Sequence, residues 1–324
     1  MCVITAGLLI WKCYQSGNER FQLEVPVRTK MRMRLFIVFR IIIILSLLTA
    51  SSRGLTAIAQ SQAGQQRTAT QSQPTDDDDL INADRPGIAD GSTVIGRGRI
   101  QIESGVQAEY RRDADSRDHT LFIPTLLRIG FDTKWEARIE GNTFTRTRTF
   151  DPTATDSVSG FAPLSLGLKY HFQDSKGARH PSLGTIFRVF PAWGSSDFRT
   201  HHVTGDLRLV ADWDFAPKFS LNPNVGVARY EDGQEKTFVA GLYAVTLNYL
   251  PSKKLNPFVD LGAVSPEESK GRSSVILDTG VAYIVGRNIQ LDASIGKGVH
   301  GRTPPHPFIS AGISFRAKAF GRKK

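Results

Sequence analysis

The chain has 324 residues, of which 41 are Lys or Arg and 31 are Asp or Glu, so its formal net charge is +10. Its 40% of hydrophobic residues is ordinary for a folded protein and excludes wholesale disorder. Only residues 35–48 are nearly continuous in apolar residues, and Arg40 interrupts them. A polytopic helical membrane protein is therefore excluded.

Residues 1–59 are predicted to be a signal peptide that is cleaved before Gln60. Basic residues precede the apolar run 41–48, and residues 57–59 form an A-x-A cleavage site. The alternative is a single membrane anchor, but the run is shorter than the roughly 20 residues that a spanning helix needs. Residues 1–30 lie upstream of an ordinary signal peptide, either as a long basic region or because the true start codon is Met31 or Met33.

Removal of this leader changes the composition of the protein. It takes away eight of the 41 basic residues and two of the 31 acidic ones, which leaves 33 against 29 and a net charge of +4. Both cysteines, Cys2 and Cys13, also lie in the leader. The exported chain is therefore expected to contain no disulfide and no thiolate metal site, and an interaction with nucleic acid loses its main support.

Residues 60–96 are predicted to form a flexible N-terminal segment. Its first part is rich in Gln, Ser and Thr and ends in four consecutive aspartates, 76–79, and such segments are usually solvated linkers. Calcium binding by the four aspartates is the alternative. The segment continues into the motif Asp84-Arg85-Pro86-Gly87.

From residue 97 onward the hydrophobic pattern has a period of two, which is typical of strands with two unlike faces. In 99–111, for example, the even positions are mostly apolar and the odd positions mostly charged or polar. Twelve such segments are predicted, at 98–110, 119–131, 135–146, 159–172, 182–193, 202–215, 219–230, 237–250, 257–264, 274–285, 289–299 and 306–316. Most have the length of a tilted membrane strand, roughly 9 to 11 residues.

The connections and the aromatic residues favour a membrane barrel over a soluble sandwich. Short links such as 132–134 and 286–288 alternate with longer polar ones such as 147–158 and 265–273, although 173–181 is longer than this pattern predicts. Trp135, Trp193 and Trp213 lie at segment ends with apolar parity, as in an aromatic girdle at a lipid interface. The predicted fold is all-β: a transmembrane antiparallel up-and-down β-barrel of about 12 strands over residues 97–316, followed by a basic tail, 317–324.

Several short motifs resemble an outer-membrane transporter family named for the meta-cleavage pathway of phenol degradation. They are Asp84 to Gly87 followed by the strand with Gly98, Gln101, Glu103 and Gly105; the strand 164–172 with Gly167, Lys169 and Tyr170; and the closing strands with Asp292, Gly296, Gly298, Gly312 and Phe315. The resemblance covers residues 84–316. It implies a barrel in the outer membrane of a Gram-negative-type envelope that passes hydrophobic or aromatic compounds. Family members usually end at an aromatic residue that the barrel-assembly machinery recognises, whereas here Phe315 is followed by nine further residues, among them Phe320.

The lumen supplies the candidate functional residues. Inward parity, together with the motif before the first strand, selects Asp84, Arg85, Arg99, Glu103, Arg138, Lys169, Asp206, Arg208 and Asp292 as residues that form a constriction or bind a solute. We hypothesise that the segment with Asp84 and Arg85 folds into the lumen. The alternative is a simple turn at Pro86 and Gly87. Because these residues carry both positive and negative charges, we predict no strong ion selectivity.

Two other classes of function compete with a channel. A barrel hydrolase would need a nucleophile next to a base, and the best candidates are Ser195 and Ser196 with His201 and His202. A structural or adhesive barrel without transport needs no such site. We expect no enzyme activity, no cofactor and no metal; the expected partners are membrane lipid, the assembly machinery and a small hydrophobic or aromatic solute, with no nucleic acid.

Overall fold

The computed structural model describes residues 79–112, 116–301 and 307–319. The predicted leader, its cleavage site, most of the linker 60–79 and Phe320 lie outside these residues. No helix of the described residues is long and apolar enough to cross a membrane. This finding does not bear on strands.

Thirteen strands form the described part of the chain, in one antiparallel sheet. Their bounds are β1 Arg99–Arg112, β2 Arg117–Gly130, β3 Trp135–Phe150, β4 Thr155–Gly160, β5 Ser165–Gln173, β6 Ser182–Phe190, β7 Thr204–Ala216, β8 Phe219–Glu231, β9 Thr237–Tyr249, β10 Leu255–Ser265, β11 Ser274–Gly286, β12 Ile289–His300 and β13 Phe308–Lys318.

The sheet closes on itself into a barrel. Each strand except β4 pairs with the next one around the barrel. β1 pairs with β13, and β3 pairs with β5 through its first half. Twelve strands therefore complete the circle, while β4 pairs only with the second half of β3 and extends it as a hairpin. The prediction of a closed antiparallel barrel with 12 strands is confirmed, and closure leaves no open sheet edge around the circle.

One region differs from the predicted elements. The link 147–158 was expected to be a loop, but most of it continues β3 and forms β4. The predicted strand 159–172 accordingly begins only at Ser165. Four residues separate β4 from β5, and Pro163 among them has no N–H to donate to a sheet. At the other end of the barrel, β13 runs to Lys318, two residues beyond the predicted boundary.

The two faces of the strands follow the predicted alternation. Most outward positions are apolar and exposed, such as Ile102, Leu209, Tyr283 and Ile313, because no protein layer covers them. Most inward positions are polar or charged, and many of them are buried. Trp135 and Trp213 lie outward near the short-turn ends of β3 and β7, whereas Trp193 lies beyond the end of β6 and donates from Nε1 to the carbonyl oxygen of Leu164 at 3.0 Å.

Candidate functional site: a segment across the barrel lumen

Residues 79–98 precede β1 and lie inside the barrel. Backbone N–H groups of this segment donate to inward side chains of five strands: Arg85 to Glu103, Ile88 to Asp260, Asp90 to Asn224, Ser92 to Asp212 and Ile95 to Glu136, at 2.8 to 3.0 Å. A non-helical segment has no internal ladder for its N–H groups, so buried groups of this kind need partners from elsewhere. The inward carboxylates and amide of the barrel wall provide them.

Asp84 lies at the centre of a group of cations. Its carboxylate accepts from Arg138 at 2.5 Å and from Lys169 at 3.0 Å, and Arg128 lies 3.6 Å away. Burial by itself would raise the pKa of the Asp84 carboxyl, but Arg128, Lys169 and Arg138 together hold that pKa well below its usual range. Asp84 is therefore a fixed negative charge that ties the segment to β2, β3 and β5.

Arg85 ties the same segment to a second part of the wall, on β12 and β13. Its Nη2 atom donates to Asp292 at 3.0 Å and to Ser310 at 3.1 Å. The guanidinium lies over Gly105 and Gly312, which are paired across β1 and β13. A Cβ atom at Gly312 would come within 2.5 Å of Nη2, so the absence of a side chain makes room for Arg85.

The wall around the segment carries a buried network of ion pairs. Arg128 pairs with Glu103 and Glu136, Arg138 with Asp90, Arg188 with Asp206 and Glu140, and Arg208 with Asp90, at 2.7 to 3.2 Å. Charges removed from water are costly unless they are paired, and here each arginine faces more than one carboxylate or a carboxylate of the segment. The network thus connects the barrel wall to the N-terminal segment.

The structure brings most of the predicted lumen residues together. Asp84, Arg85, Glu103, Arg138, Lys169, Asp206, Arg208 and Asp292 contact the segment or each other in this network. Arg99 lies apart from them, at the short-turn end, where it pairs with Asp79 at 2.5 Å; Arg316 pairs with the same carboxylate at 3.1 Å. Whether these residues bind a solute remains a prediction.

Sequence reasoning omitted two residues that anchor the segment. Asp90 accepts from Arg138 at 3.0 Å and from Arg208 at 3.2 Å, and Ser92 contacts Asp212 and Ser182. Both lie before the first strand, where no alternation exists to assign a face. The period-two pattern therefore gave no signal for either residue.

Several buried aromatic and aliphatic residues of the lumen wall lie in the half nearest the long loops: Phe122, Phe190, Tyr230, Leu242, Val264, Ile276 and Phe308. Buried charged residues lie among them in the same half, including Glu109, Asp206 and Asp278. Arg188 lies next to one of the rings, with its Cζ atom 5.6 Å from the ring centroid of Phe190. The wall at this end of the lumen therefore presents both apolar and charged groups.

A cavity of about 420 Å³ lies between the segment and the short-turn end of β7 to β12. Its lining is rich in neutral polar groups, among them Asn222, Asn248 and Asn256, which form a hydrogen-bonded row across β8, β9 and β10. The segment contributes one wall through residues 82–87. The cavity is of the size of a small-molecule site.

The serine and histidine residues that were considered for hydrolysis make other contacts. Ser195 Oγ accepts from the backbone N–H of Phe161 at 3.0 Å. His201 and His202 instead face Glu231, which accepts from both of their backbone N–H groups and lies 2.9 Å from His202 Nδ1. These contacts connect two long loops and place neither serine next to an imidazole. Among the described residues, no group of three or more His, Cys, Asp or Glu side chains could hold a metal ion.

Solved structures that are similar to this chain include outer-membrane barrels. The outer membrane channel COG4313 from Pseudomonas putida F1 is 10% identical with a TM-score of 0.55, over 70% of this chain and 98% of that one. The translocator domain of autotransporter NalP from Neisseria meningitidis is 10% identical with a TM-score of 0.46, over 68% of this chain and 90% of that one. The CymD monoaromatic hydrocarbon channel is 10% identical with a TM-score of 0.38, over 71% and 90%.

At these identities the first likeness establishes the fold and nothing further. No curated protein matches the chain. The family model described as "Putative MetA-pathway of phenol degradation" matches residues 83–317, which span the lumen segment from Ala83 and the barrel up to Ala317. The chain belongs to this family.

Proposed function

We propose that the protein is an outer-membrane channel for small hydrophobic or aromatic molecules, and that residues 79–98 form its constriction. The observation that carries the proposal is the segment inside the lumen. It contacts strands around the wall, and buried aromatic and aliphatic side chains lie among the inward residues nearest the long loops. A structural barrel would have no need of a separate segment inside a closed wall.

The placement in an outer membrane rests on the exposed apolar belt and on the lengths of the connections at the two ends of the strands. Short turns and longer loops lie at opposite ends of the barrel, and by the pattern of outer-membrane barrels the short turns face the periplasm. Export by a cleavable signal peptide and insertion by the barrel-assembly machinery belong to the same proposal. A family named for phenol degradation supports an aromatic solute.

Uptake of 1-N-phenylnaphthylamine by intact cells tests the proposal, because this apolar aromatic dye fluoresces only after it passes an outer membrane that otherwise excludes it. Cells of a Gram-negative host that make the protein should take up the dye several-fold faster than cells with an empty vector. Hydrolysis of the hydrophilic compound nitrocefin by a periplasmic β-lactamase is the control for general leakage and should not accelerate. Equal dye uptake by the two strains, with a folded barrel in the outer membrane, would instead support the structural or adhesive alternative.

A further inference from the structure

In the described strands, the exposed charges on the outside of the barrel are all of one sign. Among the described strand residues, the exposed charged side chains that alternation directs outward are Arg112, Arg117, Arg146, Arg148, Arg229 and Lys297. Glu231 shares the parity of Arg229, but it is buried beneath His201 and His202. All six basic residues lie in the halves of their strands nearest the long loops. The outside of the barrel is thus basic at one rim.

Four of the six form one patch on β1, β2 and β3, which we term the arginine patch: Arg112, Arg117, Arg146 and Arg148. Arg112 lies directly opposite Arg117, Arg146 opposite Leu121, and Arg148 opposite His119. A register shift between Ile123 and Pro124 places Arg146 and Arg148 outward, although strict alternation from Trp135 would turn Arg146 inward. With strands about 4.8 Å apart and about 3.3 Å per residue, the patch measures roughly 10 by 13 Å.

Among the described residues, no carboxylate belongs to the arginine patch. Within the described ranges, the side chains of Arg112, Arg117 and Arg148 form no ion pair, and Arg146 donates from Nε to Ser157 Oγ at 3.2 Å. Like charges directly opposite each other on a sheet are destabilising. Four guanidinium groups at this spacing therefore favour an anion between them.

The depth of the patch matches that of lipid headgroups. Tyr110, His119 and Phe150 form a row of rings with centroids 5.0 Å apart, at the level of Arg148. Aromatic rows of this kind mark the membrane interface in barrels. Below the patch the exposed outward residues include the apolar Val106 and Phe144. The guanidinium groups thus lie where an anionic headgroup and not a hydrocarbon chain would meet the barrel.

We propose that the arginine patch binds the phosphate groups of a phosphorylated glycolipid in the leaflet next to the long loops. This proposal rests on the membrane placement proposed above but not on transport. The planar guanidinium group matches phosphate oxygens in pairs. The patch offers two pairs of arginines, Arg112 with Arg117 and Arg146 with Arg148, which suits a headgroup with two phosphates. Exposed Ser157 and Ser159 lie opposite Arg148 and Arg146 on β4 and provide hydroxyls for a sugar.

Binding of purified full-length protein to nanodiscs tests the proposal. The nanodiscs contain phosphatidylcholine with either diphosphoryl lipid A, lipid A without phosphates or phosphatidylglycerol, and native mass spectrometry counts the retained lipid. The wild-type protein should retain diphosphoryl lipid A at least several-fold better than the other two lipids. Equal retention of lipid A without phosphates would overturn the role of phosphate, and equal retention of phosphatidylglycerol would overturn the choice of a glycolipid.

Two double variants locate the site, R112Q/R117Q and R146Q/R148Q. Each should lose most of the retained diphosphoryl lipid A, whereas the control R229Q/K297Q, with the same change of charge elsewhere on the rim, should retain it. Unchanged retention in both patch variants, or an equal loss in the control, would overturn the proposal. A heat-modifiable gel shift verifies that each variant is a folded barrel. Loss of dye uptake by itself would not bear on the lipid-binding proposal.

Discussion

Asp84 holds the lumen segment against the barrel wall through its negative charge. Replacement of Asp84 by asparagine leaves Arg138 and Lys169 buried beside a neutral group, and the removal of one partner from a buried ion pair costs about 3 to 5 kcal/mol. We expect D84N to release the segment and to raise single-channel conductance in planar bilayers several-fold. The control D156N changes an exposed aspartate of β4 and should leave conductance unchanged. An unchanged conductance in D84N would remove the constriction hypothesis.

Gly312 permits the position of Arg85. In G312A the new methyl group would overlap the Arg85 guanidinium, so Arg85 must leave Asp292 or β13 must shift. Overpacking of this kind costs about 1 to 3 kcal/mol. The urea midpoint of the reconstituted barrel should fall and its conductance should rise. G286A is the matched control, because nothing lies within 4 Å of a Cβ atom at Gly286; equal behaviour of the two variants would contradict the predicted overlap.

The segment 79–98 acts as one element, and its attachment to the wall can be made covalent. The Oγ atoms of Ser92 and Ser182 lie 2.6 Å apart, and both cysteines of the chain lie in the predicted leader. A disulfide in S92C/S182C would therefore join the segment to β6 without competing thiols. In the D84N background, oxidation should return the conductance to the wild-type value and a reductant should raise it again. If oxidation has no effect on that conductance, movement of the segment is not what opens the lumen.

The strands were the most predictable elements. Each predicted segment from 98–110 to 306–316 overlaps a strand of the barrel, because alternation against lipid on one face and the lumen on the other is a local property of the sequence. The exception is the region of β3 and β4. There the register shift between Ile123 and Pro124 leaves one extra residue in β3 and reverses which of its later residues face outward. Only Phe144 and Phe150 are apolar beyond that point, so the reversal gives a weak signal in the sequence.

The barrel as a whole depends on an uninterrupted apolar belt. Leu209 lies in the middle of β7 with 56% of its surface exposed, and Ile309 lies at the long-loop end of β13 with 55% exposed. An outward arginine costs about 2 to 4 kcal/mol at the bilayer midplane and about 0 to 1 kcal/mol near the interface. L209R should therefore lower the folded fraction in lipid vesicles, measured by the heat-modifiable gel shift, far more than I309R. Equal losses, or a wild-type protein that folds in buffer without lipid or detergent, would contradict the membrane placement.

The sequence by itself determined the strand positions, the direction of their faces and the inward location of Glu103, Arg138, Lys169 and Asp206, because these follow from a period of two along one chain. Only the tertiary structure decided what those charges contact. The partners Asp84, Asp90 and Ser92 lie in a segment without periodicity, and their positions depend on a closed barrel whose wall presents cations and carboxylates to that segment. The outward arginine patch likewise exists only after β2 and β3 pair with a shifted register. The local pattern of a strand determines which of its side chains face the lumen, and long-range pairing determines which residues those side chains contact.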